Sequence, residues 1–146
     1  MLQQKGFSMK LLQPGDKEYA FVLAKVEGAF KIKKLYKITN DALLKDYQEA
    51  KKTLNMSDLR EMDLFHGSPW AKIIAKEGFR RGRVYFSNKA SFSDSYARKN
   101  GGIEFTMLLC KVMHFIDTYY PYYVLSAREY YIENEKMAYP SYLIEY

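Results

Sequence analysis

Apolar side chains recur three and four positions apart at Tyr19, Val22, Val26 and Phe30, directly after Pro14-Gly15-Asp16. That spacing predicts an amphipathic helix with one face on a core, its last turn weakened by Gly28. From Phe30 the chain begins to alternate between apolar and basic residues, as FKIKKLYKI, the period of a strand with one buried face. Asn40 then suits a helix N-cap, and Leu43, Leu44, Tyr47 and Leu54 make the apolar stripe of a surface helix over residues 41–54. Asn55-Met56-Ser57-Asp58 reads as a linker.

Asp63-Leu64-Phe65-His66-Gly67 predicts a short strand ending at glycine. Ser68-Pro69 offers a cap and a first-turn proline for a helix expected to bury Trp70, Ile73 and Ile74 and to stop at Gly78. Residues 83–87 predict a second short strand, with Ser91 capping a helix to about Lys99 that Asn100-Gly101-Gly102 closes. The stretches 105–113, 122–125, 130–132 and 142–146 are rich in β-branched and aromatic residues and read as strands. Helices early and sheet late make an α+β fold, with no repeat, low-complexity tract or domain linker.

The 146 residues suffice for one core, so a single domain over 1–146 is expected. A hydrophobic share of 48% beside 27% charged residues fits a soluble globular protein. No apolar run approaches the roughly 20 residues that span a bilayer, and MLQQKGFSMK lacks the apolar stretch of a signal peptide. An intracellular location, in cytoplasm or nucleus and not on a membrane, is expected. The single cysteine, Cys110, sits in the apolar run MLLCKVM and reads as a buried strand position. With His114 it is too small a set for zinc, which takes three or four ligands, so no metal is expected. The net charge of +6 is compatible with a polyanion, but KIKKLYK, EAKKTL and FRRGR scatter the basic residues along the chain, as on solvated faces.

Three segments put polar groups beside strand ends: FHGS at 65–68; VYFS at 84–87, with Ser93 and Tyr96 after it; and Arg128-Glu129-Tyr130. Taken singly, each has a bland reading: a structural histidine, a core tyrosine, a solvated glutamate. In order, they resemble the catalytic domain of the poly(ADP-ribose) polymerase family, and the resemblance runs from about residue 18 to the end. IKKLYKITNDALLKDYQEAKKTL resembles the strand and helix before that family's His-Gly motif, LFHGS the motif itself, and VYFSNKASFSDSYA its Tyr-Phe segment. REYYIENEKMAYPSYLI resembles its closing strands.

The resemblance implies an α+β ADP-ribosyltransferase fold, with N-terminal helices packed on a mainly antiparallel, split β-sheet. It implies NAD+ as co-substrate, and His66, Tyr85 and Glu129 as a His-Tyr-Glu triad. His66 would hold the adenosine ribose, Tyr85 would stack on nicotinamide, and Glu129 would hold the 2′-hydroxyl of the nicotinamide ribose. The backbone of Gly67 and the hydroxyl of Ser93 would grip the carboxamide beside Ser68, while Tyr96 covers the other ring face. Elementary chemistry agrees with these roles. Cleaving the glycosidic bond builds positive charge on the ribose, which a fixed carboxylate stabilises. Ser93 and Tyr96, three apart, share one helix face, and tyrosine rings suit a cationic pyridinium.

His66 and Tyr85 stand 19 positions apart, too close for the family's usual donor loop. Arg80, Arg81 and Arg83 in that short segment are candidates for the pyrophosphate. The loops between Val112 and Glu129 are also trimmed, and no room is left for the family's regulatory helical domain. Phe92 stands where chain-building relatives carry lysine, which favours mono- over poly-ADP-ribosylation of an acceptor protein. Two other readings stay open: a non-catalytic NAD+ or ADP-ribose binding module, and a transferase acting on nucleic acid. Tyr119, Tyr120, Tyr122 and Tyr123 offer a candidate acceptor surface.

Overall fold

A computed structural model describes residues 3–54, 59–98, 104–115, 119–121 and 127–146. The linker at 55–58, the glycines after Lys99, the strand expected at 122–125, and Tyr122 and Tyr123 lie outside the described residues. Nothing is described of the side chains of Tyr119 and Tyr120.

Nine strands among the described residues make one antiparallel sheet: β1 (Gln3–Gln4), β2 (Phe7–Leu12), β3 (Lys34–Asn40), β4 (Leu59–Gly67), β5 (Val84–Ser87), β6 (Thr106–Phe115), β7 (Tyr119–Pro121), β8 (Arg128–Ile132) and β9 (Ala138–Glu145). Their spatial order is β1-β2-β3-β9-β6-β4-β5-β8-β7. Four α-helices among the described residues cover it: α1 (Lys17–Val26), α2 (Asp41–Thr53), α3 (Ala71–Glu77) and α4 (Ala90–Ala97). The α+β class holds, but helices do not precede the sheet. β1 and β2 precede α1: Phe7, Met9 and Leu11 alternate at the strand period, and Phe7, Met9 and Leu12 bury their side chains.

Alternation along the strands splits the core between the two faces. Phe65, Met107, Leu109 and Ile144 pack with Val22 and Val26 of α1 and Ala90 and Ala97 of α4. On the other face Leu64, Leu108 and Val112 pack with Tyr47 of α2 and Ala71 and Ala75 of α3. Helices thus lie on both faces.

Local expectations fare unevenly. Asn40 does cap α2, its side chain accepting from the Leu43 amide at 3.2 Å. Its amide nitrogen also donates to the carbonyls of Ala75 and Lys76, tying α3 to α2. Gly78 ends α3 at φ 86, where a side chain would also meet Leu43. α1 stops at Val26, short of Phe30, which instead stacks on Tyr146 at 3.7 Å from the following loop. Lys89, not Ser91, occupies the N-cap of α4: its carbonyl accepts the Phe92 and Ser93 amides at 3.1 and 3.2 Å, so Ser91 lies inside the first turn.

The helix after Ser68-Pro69 turns a different face inward from the one its large residues suggested. Trp70 is 59% exposed and Ile73 49%, while Ala71 and Ala75 are buried and Ile74 is partly buried. Small side chains let α3 lie close on the sheet, which leaves Trp70 and Ile73 to the outside.

The sheet is continuous where a split one was expected, but it is narrow at one joint. β4 pairs with β6 from Leu59 to Gly67, yet with β5 only at Phe65 opposite Ser87. The site lies at this narrow joint.

Candidate active site

Beyond Phe65 and Ser87 the β4–β5 ladder does not continue, and the histidine side chain fills the place of the next backbone donor. His66 Nδ1 donates to the Tyr85 carbonyl at 2.8 Å; a carbonyl can only accept, so Nδ1 carries the proton. Phe79 and Phe86 stand against the ring, with centroids at 5.1 and 5.5 Å. Burial lowers its pKa below the ordinary 6.5, against the smaller opposing effect of that hydrogen bond. The imidazole is therefore neutral at pH 7, with Nε2 an acceptor.

Gly67 owes its identity to packing. A Cβ there would lie 1.9 Å from the Ser93 carbonyl oxygen and 3.2 Å from the Ala97 nitrogen, so α4 can sit on the end of β4 only if residue 67 has no side chain. Its backbone polar groups face elsewhere. The Ser68 amide donates to the Thr106 carbonyl at 3.4 Å, and antiparallel ladders alternate, so the neighbouring Gly67 N–H and C=O turn from β6 toward the gap between β4 and β5. The Phe65 carbonyl oxygen, of the same parity, lies 3.2 Å from Ser93 Oγ on that side.

The gap opens into a cleft of about 720 Å³, within the range of roughly 300–1,000 Å³ usual for small-molecule and cofactor sites. His66, Gly67, Ser68, Tyr85, Ser93, Tyr96 and Glu129 all line it, although they come from four separate elements or their flanks. Glu129 lies opposite Ser87 in the β5–β8 ladder and is 5% exposed. Tyr96 donates its hydroxyl to Glu129 Oε1 at 3.1 Å; burial, and then the carboxylate beside it, raise that phenol's pKa. The Ser68 hydroxyl accepts the Trp70 amide at 3.0 Å, and Thr106 Oγ1 donates to the Ser68 carbonyl at 2.7 Å, which pins the turn into α3.

This constellation bears on the comparison with known proteins. The chain is similar to the human protein mono-ADP-ribosyltransferase PARP14, with 33% identity in an alignment 105 positions long that covers 68% of this chain. The match supports a relationship to the poly(ADP-ribose) polymerase family. The chain spans about 5% of that relative's length. No family model matches it.

Three arginines border the cleft, and two of them, Arg81 and Arg83, lie beside a carboxylate. Arg83 Nη2 lies 2.8 Å from Glu133 Oε1, and its guanidinium covers the Tyr131 ring at 4.2 Å. Hydrogen bonds to Tyr85 and to Glu133 raise its pKa further. The Arg81 side chain is 94% exposed, with Nε 3.9 Å from Glu135. Arg80 also borders the cleft.

Several lining residues carried no sequence signal. Trp70 and Ile73 looked like core, and Phe79 and Phe86 gave no hint that they back the histidine. Glu133 could have been found by extending the register from Val84 opposite Ile132 by one pair to Arg83. Cys110 is buried in β6 as expected, and burial pushes its thiol pKa well up. His114 is buried as well, with Nε2 2.9 Å from Met62 Sδ. Among the described residues no three His, Cys, Asp or Glu side chains gather as a metal site.

Proposed function

We propose that the cleft binds NAD+ and that the protein transfers its ADP-ribosyl group to an acceptor protein, one unit at a time, releasing nicotinamide. The observation that carries this reading is Glu129. A carboxylate 5% exposed, held by the Tyr96 hydroxyl on the wall of a cleft shared with His66 and Tyr85, is placed to act on charge.

The chain's own groups fit the parts of NAD+. The Gly67 N–H and C=O, turned to the gap by strand alternation, match the acceptor and donor of a carboxamide. Tyr85, 37% exposed, and Tyr96 supply ring faces for nicotinamide, and the neutral His66 Nε2 accepts from a ribose hydroxyl. Glu129 accepts from the 2′-hydroxyl of the nicotinamide ribose and stabilises the positive charge that grows there as the glycosidic bond breaks. Arg81 and Arg83 at the mouth reach the pyrophosphate by exchanging their carboxylate partners for it. Transfer of single units draws on Phe92 and on the name of the similar human protein. An intracellular location follows from the supply of NAD+.

Incubation with labelled NAD+, followed by separate analysis of protein and nucleic acid, tests the reading. Label is expected on protein. Glu129→Gln should lower turnover by roughly 10²-fold or more while ADP-ribose affinity stays within about threefold. Unchanged turnover in that variant removes Glu129 from the chemistry. Binding of NAD+ with no transfer to any acceptor makes the protein a recognition module instead.

A further inference from the structure

Behind the cleft wall two buried hydroxyls stand between two carbonyls. Ser93 Oγ lies 2.7 Å from Ser87 Oγ and 3.2 Å from the Phe65 carbonyl oxygen, and Ser87 Oγ lies 2.6 Å from the Lys89 carbonyl oxygen. Ser87 is 1% exposed and Ser93 3%, so both find their partners within the protein. Each hydroxyl has one proton and a carbonyl has none. Two protons therefore serve three contacts.

The two shortest contacts are served when Ser87 donates to Lys89 and Ser93 donates to Ser87, which points the Ser93 proton inward and leaves the 3.2 Å contact to the Phe65 carbonyl without one. For Ser93 to donate into the cleft, the 2.7 Å contact must take its proton from Ser87, because two lone pairs that close repel. Ser87 would then release the Lys89 carbonyl. That release is easy, since the carbonyl also accepts the amides of Phe92 and Ser93 at 3.1 and 3.2 Å.

We propose that Ser87 is a positioning residue, whose hydroxyl turns from the Lys89 carbonyl to Ser93 and so directs the Ser93 proton onto the oxygen of a carboxamide in the cleft. The proposal rests on the reading of this cleft as a nicotinamide site. A donor fed from behind is also a stronger donor, because hydrogen bonds in a chain polarise one another. Ser87 sets how firmly the amide is held and touches no ligand itself.

The test compares benzamide, which carries the amide, with ADP-ribose, which lacks it, by calorimetry on the whole chain. Ser87→Ala should weaken benzamide about three- to tenfold, the effect of one hydrogen bond, and leave ADP-ribose unchanged. In a Ser93→Ala background the same change should have no further effect on benzamide. Ser87→Cys, of nearly the same size with a weaker donor, should fall between, and it carries the test if the alanine variant does not fold. Unchanged benzamide affinity in Ser87→Ala, an equal loss for both ligands, or a full effect persisting without Ser93 overturns the relay. Wild-type protein that binds ADP-ribose but no benzamide overturns the nicotinamide reading first, and the relay with it.

Discussion

At the scale of single residues, His66 does two things that conflict in water and agree here. Its Nδ1–H replaces a missing ladder bond to Tyr85, and the same bond fixes the tautomer that leaves Nε2 as an acceptor at the cleft. Phe79 and Phe86 keep the ring neutral by excluding water. Because its folded pKa lies below 6.5, the folded state binds the proton less readily than the unfolded chain does. The stability this contributes is present above the unfolded pKa and is lost as pH falls through the folded value. ADP-ribose affinity should accordingly be flat from pH 8 to about 6.5 and decline only below that. A pH series by calorimetry checks this, with His66→Gln expected to remove the acid limb; a decline already under way above 6.5 contradicts the neutral, desolvated ring.

At the scale of elements, the contact of α4 with the end of β4 and the seating of α3 on the sheet build the two walls of the cleft. The first depends on Gly67, whose missing Cβ leaves room for the Ser93 carbonyl. Gly67→Ala should force the helix and strand apart, at a cost of about 1–3 kcal/mol, and abolish benzamide binding. The second depends on Ala71 and Ala75, so Trp70→Ala should change stability by less than about 0.5 kcal/mol despite the size of the lost side chain. Urea titrations of the two variants give both values. A large loss on removing Trp70 would mean that α3 turns its other face to the sheet.

At the scale of the whole molecule, the cleft exists because one sheet is held together by a single residue pair at its β4–β5 joint. The arginine-bearing segment 80–83 borders that opening, and its guanidiniums face solvent at Arg81 and Glu133 at Arg83. NAD+ affinity should fall as salt rises from 0.1 to 1 M, over which the Debye length shrinks from about 10 to about 3 Å. Benzamide, being neutral, should not follow. Parallel titrations with Arg81→Ala and Arg83→Ala read the effect, and equal salt responses for the two ligands would assign both arginines to the solvated surface.

The sequence alone determined what depends on neighbours along the chain: the 3.6-residue period of α1 and α2, the Asn40 cap, the stop at Gly78, and the ordered His66, Tyr85 and Glu129 segments. Local sterics and hydrogen bonding act over a few residues, so those features are written there. Only the tertiary structure decided which face of α3 is buried, why residue 67 must be glycine, and that Ser87 stands behind Ser93. Each of these is set by a partner far away in the chain, and a residue's own pattern carries no record of the surface it will meet.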